Sequence, residues 1–259
     1  MKKIKYLMLA LFVSFAFVLS ACGEGQLGVE AQANIGNPEN YTVATADDKT
    51  AFTTIVNDAE ATGVTAYRMT MSMTIPGETE ADNGTMKFNC IYVAGEESYE
   101  MAIKVEATYQ GEKQGTKMYI KDGYMYMEYT GEEAEAMKEV LGTTKVKMPL
   151  ETEGMGEMLV MLETLDLSQI LAMAKDMDLS AEGVTVKVNT EGTTVRYAIT
   201  EETAGTIYLV FEDGKLSSVQ AEVTIVEMGS MSAKVVIEEF VGEIEYPNLE
   251  EYVDMPSIG

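Results

Sequence analysis

From Tyr67 onward the chain keeps returning to a strict alternation of apolar and polar side chains. Tyr67, Met69, Met71, Met73 and Ile75 interleave with Arg68, Thr70, Ser72 and Thr74 before Pro76-Gly77 closes the run. A period of two places alternate side chains on one face of an extended strand, so each such run predicts a strand with a single apolar face. Met86, Phe88, Cys90 and Tyr92 repeat the pattern, followed by Tyr99, Met101, Ile103, Val105 and Ala107. Met118–Lys121 and Tyr124–Tyr129 flank Asp122-Gly123, a pair suited to a two-residue hairpin turn in which both residues take positive φ. Beyond residue 180 the alternation resumes through Val184–Val188, Val195–Ile199, Ile207–Phe211, Val219–Ile225 and Met231–Ile237. Asp213-Gly214 supplies a second hairpin signal. About nine strands follow from these runs, in one continuous sheet or in two lobes.

Helical spacing occurs before the strands and again between their two sets. Phe52, Ile55, Val56 and Ala59 recur at three- and four-residue intervals before Gly63, with Thr45 or Asp47 placed to cap the start. Asp47 and Asp48 in the first turn suit the positive end of the helix dipole. Glu132–Leu141 carries Ala134, Met137, Val140 and Leu141 near one face, and Met155–Leu165 and Ser168–Met177 are more apolar still. Helices of that composition must cover something, and the sheet's apolar face is the available partner.

Composition removes several chemistries. Histidine is absent, which excludes Ser–His and Cys–His nucleophilic machinery and imidazole zinc sites. With 43 acidic against 18 basic residues the net charge is −25, a surface that repels nucleic acid. No Gly-x-Ser-x-Gly, phosphate-binding glycine loop or Cys-x-x-Cys occurs. Acidic pairs such as Asp47/Asp48, Glu132/Glu133 and Glu250/Glu251 read as solvated surface, and Asp176-Met177-Asp178 lacks the remaining ligands of a calcium loop. The expectation is a non-enzyme that needs no cofactor and no metal. The 20 methionines are flexible, polarizable side chains, suited either to filling an irregular core or to lining an adaptable binding surface.

The N-terminus carries an address. Lys2, Lys3 and Lys5 precede an apolar run from Leu7 to Leu19, the layout of a secretory signal peptide, too short for a comfortable membrane span. Leu19-Ser20-Ala21-Cys22 then resembles the lipobox of bacterial lipoproteins. That resemblance implies cleavage after Ala21 and a diacylglyceryl thioether on Cys22, with acyl chains such as palmitate holding the protein on the extracytoplasmic face of the cell membrane. Residues 1–21 are accordingly expected to be a signal peptide and residues 22–44 a flexible tether, because 23–44 are rich in Gly, Asn and Gln without an apolar period. Residues 45–259 are expected to form the folded domain. Once Cys22 is lipidated only Cys90 remains, so no intrachain disulfide forms. Cys90, on the apolar phase of its strand, is expected to be a buried hydrophobe.

One-faced antiparallel strands with amphipathic helices between two sets resemble the lipoprotein-carrier superfamily of LolA, LppX and LprG. The residues that carry the likeness are Tyr67–Ile75, Lys117–Tyr129, Thr206–Ala221 and the closing Tyr246-Pro247-Asn248-Leu249-Glu250-Glu251-Tyr252. The resemblance implies an α+β fold, a strongly curved antiparallel sheet (a half-barrel) with helices on its concave face. It also implies an apolar cavity for a lipid or other hydrophobic small molecule, bound and carried without catalysis. The residues expected to line that cavity are Met69, Met71, Met73, Met101, Ile103, Leu159, Leu162, Leu209, Phe211 and Val223. The rival expectation is a fully packed domain that serves as a surface-interaction or envelope-sensing module. No protein partner is specified by the sequence.

Overall fold

Each run of alternation folds as a strand, and all of them join one sheet. The computed structural model describes residues 26–59, 66–77, 83–95, 99–109, 112–150, 167–202, 204–225 and 231–255. Among these, the strands are β1 (Thr42–Val43), β2 (Ala66–Ile75), β3 (Gly84–Ala94), β4 (Tyr99–Tyr109), β5 (Glu112–Lys121), β6 (Tyr124–Thr130) and β7 (Lys145–Pro149). They continue with β8 (Val184–Glu191), β9 (Thr194–Glu201), β10 (Gly205–Glu212), β11 (Lys215–Ile225), β12 (Met231–Glu239) and β13 (Val253–Asp254). They form a single open sheet of 13 strands in the order β1-β8-β9-β10-β11-β12-β2-β3-β4-β5-β6-β7-β13. Every pairing is antiparallel except the parallel contact of β13 with β7, so the sheet is mixed. The two halves of the chain meet where β12 pairs with β2, from Glu239↔Tyr67 to Ser232↔Thr74. One continuous sheet therefore replaces the two-lobe alternative.

Both Asp-Gly pairs turn as their chemistry requires. Asp122 and Asp213 have φ of 52° and 50°, and the glycines after them 77° and 80°. Two successive positive φ values match the twist of flanking strands, and Asp and Gly tolerate them best.

Among the described residues the α-helices are α1 (Ala46–Asp58), α2 (Glu132–Leu141) and α3 (Leu167–Lys175). Phe52 and Val56 of α1 and Leu167, Ile170, Leu171 and Ala174 of α3 are buried in one core with the apolar face of the strands. From α2, Met137 and Leu141 pack against that core, but Val140 is 79% exposed and takes no part in it. The segment Met155–Leu165, expected to be helical, lies outside the described residues.

Thr45, not Asp47, caps α1. Its hydroxyl accepts from the Asp48 N–H at 3.2 Å, while the Asp48 carboxylate accepts from the Thr45 N–H and hydroxyl, each at 2.7 Å. This reciprocal box satisfies backbone donors that the helix leaves unpaired. The Thr45 backbone N–H, and then its hydroxyl, hold the Asp48 carboxyl below the ordinary carboxylate value of 3.8. A depressed folded-state pKa stabilises the fold above the ordinary value and ceases to do so as pH falls through the depressed one. Thr45→Ala is expected to destabilise the domain by about 1 kcal/mol at neutral pH. The deficit relative to wild type should narrow below the ordinary carboxylate range, as chemical denaturation at pH 7 and pH 3 would show.

The expectation of a flexible tether over residues 22–44 is corrected for residues 26–44, which are held against the sheet's second face. Leu27 and Ala31 are buried, Ala31 N–H donates to Thr70 Oγ1 at 2.7 Å, and Asn89 Nδ2 donates to the Leu27 carbonyl at 3.0 Å. Farther along, the buried Arg196 donates from Nε to the Asn34 carbonyl at 2.7 Å and from Nη2 to Asn34 Oδ1 at 3.2 Å. The segment finishes as β1, which caps the free edge of β8. Hydrogen bonds from sheet side chains to strap backbone need no apolar period in the strap, which is why composition read as a tether.

A second strap mirrors the first. After β12 the Phe240 N–H donates to the Ala66 carbonyl, and the chain crosses the same second face in the other direction. Tyr246 lies against Tyr119, with its hydroxyl donating to Glu100 Oε2 at 2.9 Å and Lys121 Nζ 4.2 Å from its ring centroid. Tyr252, buried, packs edge-on to Tyr126, and β13 then caps the edge of β7. The straps meet at Gln26, whose Nε2 donates to the Glu243 carbonyl at 2.8 Å and whose Oε1 accepts from the Glu245 N–H at 2.9 Å. Sheet edges are templates for unwanted strand pairing, and here each is covered by a strap's two-residue strand.

Candidate functional site

Helix α1 lies over the apolar face of the sheet without closing on all of it. Between α1 and strands β8 and β9 remains an open cleft of about 760 Å³. Ala51 and Ile55 of the helix, Val188, Val195 and Tyr197 of the strands, and Gly214 of the β10–β11 turn line it, with Asp47, Asp48 and Asp58 from the helix. The alternation explains the sheet side: Val188, Val195 and Tyr197 occupy the same phase of β8 and β9, and Val188 pairs directly with Tyr197. The helix side follows from 3.6-residue spacing, since Ala51, Ile55 and Asp58 are three and four residues apart.

Tyr197 forms the floor. It is 2% exposed, packs edge-on to Phe52 at 4.9 Å and Phe211 at 6.2 Å between centroids, and donates its hydroxyl to the Asp48 carbonyl at 3.4 Å. Burial, aided by the negative charge of Asp48, raises its pKa, so the phenol remains protonated and neutral. The cleft therefore presents apolar side chains and neutral hydroxyls, those of Tyr197, Thr50, Thr54 and Thr190, with carboxylates along the helix. Its volume falls within the range of small-molecule sites.

The residues expected to line a ligand cavity divide into three groups. Met69, Met71, Met101, Ile103, Leu209 and Phe211 are at most 1% exposed and share one core with α1 and α3. Met73 and Val223 are partly buried against that core. Leu159 and Leu162 lie outside the described residues. The structure thus brings eight of the ten to one face of the sheet, and none of the eight lines the cleft. Phe211 comes nearest, directly behind Tyr197. Sequence reasoning missed Ala51, Ile55, Val188 and Val195 because they carry the same periodic signal as any core position. Where a helix leaves a strand face uncovered is decided by tertiary packing.

Cys90 is fully buried, and burial pushes its thiol far above the ordinary value, leaving it inert as a nucleophile. Among the described residues no group of three or more Asp, Glu and Cys is placed to hold a metal ion. None of the described helices is long and apolar enough to cross a membrane.

No protein-family model matches this chain, and no curated protein matches it. Among solved structures it is similar to a DUF1329 family protein from Desulfovibrio piger, at 9% identity and a TM-score of 0.27, covering 75% of this chain and 94% of that one. A likeness of that grade carries no argument about function.

Proposed function

We propose that this chain is a lipoprotein anchored through Cys22 on the extracytoplasmic face of the membrane, and that it binds a hydrophobic ligand in the cleft between α1 and strands β8 and β9. In this reading the sheet curves as a half-barrel, helices α1 and α3 sit on its concave face, and the protein holds or carries the ligand without catalysing a reaction. The observation that supports it is the cleft itself: about 760 Å³ floored by Tyr197, with Val188, Val195 and Ile55 around it. An acyl chain needs apolar area and little directionality, which such a floor supplies. Asp47, Asp48 and Asp58 repel an anionic head, so the preferred ligand is neutral, zwitterionic or cationic.

The test is a fluorescence titration of the unlipidated Cys22→Ser chain with a fluorescent monoacylglycerol and with the matching fatty acid. The neutral probe should bind more tightly than the anion. Ala51→Trp, which fills the cleft from an exposed helix position, should weaken binding about tenfold or more, equivalent to about 1.4 kcal/mol, with denaturation unchanged. Equal binding by the variant, or no binding by the parent, would overturn the site. In the second case the packed surface-interaction reading becomes the better one.

A further inference from the structure

Two features lie at the same end of the sheet. Strand register places the Gly192 turn, the Asp213-Gly214 turn, the exit from β12 at Phe240, the start of β2 at Ala66 and the Asp122-Gly123 turn together at one end of the strands. The cleft reaches this end through Thr190, Val195 and Gly214. The Gln26 clasp on Glu243 and Glu245 follows directly on the β12 exit, so the first strap begins there too.

Only Gly23, Glu24 and Gly25 separate Cys22 from Gln26, four residue-to-residue steps. Fully extended, they span at most about 14 Å. Apolar side chains are exposed at this end, Val241 beside the clasp at 89% and Tyr124 beside the Asp122-Gly123 turn at 40%, with Lys147 Nζ 5.8 Å from its ring centroid, although Ile75 at the opposite end is also exposed, at 46%. An exposed tyrosine next to a lysine is a combination found at membrane–water interfaces. The acidic residues of this end, Asp122, Glu191, Glu212, Asp213, Glu239 and Glu243 among them, repel anionic lipid. Positioning therefore depends on the anchor and the apolar contacts.

We infer that the partner of this strand end is the bilayer surface itself: the Gln26 clasp ties the anchored N-terminus to the end where the cleft opens, so the domain sits close to the membrane with the cleft mouth towards lipid. The inference rests on the anchored, lipid-binding reading proposed above. It adds an upper limit of about 14 Å on the distance between anchor and clasp, and a direct path by which an amphiphile moves between bilayer and cleft.

The test uses the full lipidated chain in vesicles of phosphatidylcholine with a minority of phosphatidylglycerol. Single cysteines for a fluorophore replace exposed residues at the cleft end (Thr193→Cys, Lys215→Cys) and at the opposite end (Glu202→Cys, Thr224→Cys). The native Cys90 is buried and does not compete for label. Strands of eight to eleven residues separate the two ends by about 25–35 Å, well beyond the reach of a nitroxide quencher at the lipid headgroup. Labels at the cleft end should be quenched at least about threefold more than those at the opposite end, and added salt should not abolish the difference. Gln26→Ala, which opens the clasp and lifts that limit, should reduce it. Acylated protein with equal quenching at both ends would overturn the orientation alone. Absence of acyl mass on Cys22 would overturn the anchored reading and the orientation with it.

Discussion

Phe211→Ala is expected to destabilise the domain by about 3–5 kcal/mol, read as a fall in the chemical-denaturation midpoint. Phe211 has 0% exposure, and its ring meets Tyr197 edge-on, so truncation leaves a void among side chains that cannot fully collapse. The size of the loss decides what the buried methionine-rich face is for. A side chain that lines a ligand cavity already has empty space on one side and loses few contacts when shortened. A loss below about 1 kcal/mol would therefore mean that Phe211 faces such a cavity, as the sequence had implied. A full loss makes Phe211, with Met69, Met71, Met101, Ile103 and Leu209, the packed wall on which the cleft is built. Removing the support behind Tyr197 should also weaken ligand binding in the cleft.

Gly205→Ala is expected to be at least as damaging, for a backbone reason. Gly205 has φ of +125°, and an added Cβ would stand 2.1 Å from the Glu222 carbonyl oxygen and 3.0 Å from Val223 Cα. Both obstacles are main-chain atoms of β11, so no side-chain rotation relieves them. Dihedral strain of about 1–3 kcal/mol adds to the clash. The expected outcome is loss of soluble folded protein, or a destabilisation of about 3 kcal/mol or more with the β10–β11 pairing displaced. Gly214→Ala is the control. Its φ is +80°, but nothing lies within 4 Å of the added Cβ, so only a conformational cost of about 1–2 kcal/mol remains. Equal effects at the two positions would show that the close approach at Gly205 is absent.

Strand phase was legible because it needs only the backbone's two-residue repeat. Every alternating run became a strand, and both Asp-Gly pairs became the turns between neighbours. What escaped was the second face of the sheet. Thr70, Asn89, Lys104, Arg196, Ser218 and Gln220 occupy the polar phase and read as solvent-facing, yet each is buried. A signal was present where the polar phase turns apolar: Val210 between Leu209 and Phe211, Val236 between Val235 and Ile237, and Ile91 between Cys90 and Tyr92. Unbroken apolar runs of that kind mark strands covered on both sides. The covering straps gave no such sign, because isolated anchors such as Leu27, Ala31 and Tyr252 have no period. The short strands β1, β7 and β13 escaped for the same reason, since two to five residues are too few for a repeat to register.

The cleft depends on how α1 is held beside β8 and β9, and contacts between distant parts of the chain hold it. Lys49 Nζ donates to the Leu179 carbonyl at 2.7 Å, tying α1 to the segment after α3, and Phe52 wedges against Tyr197. Neither partner is near in sequence. The proposed anchor at Cys22 is of another kind, since it is read from a four-residue motif that requires no fold.

The most direct measurement is photo-crosslinking of the full chain with a neutral monoacylglycerol that carries a diazirine on its acyl chain, followed by peptide mapping. Binding in the cleft predicts adducts concentrated on residues 47–58 of α1 and 188–197 of β8 and β9, suppressed by Ala51→Trp. Adducts confined to the straps at 26–43 and 240–255, or none above a non-binding control, would contradict it.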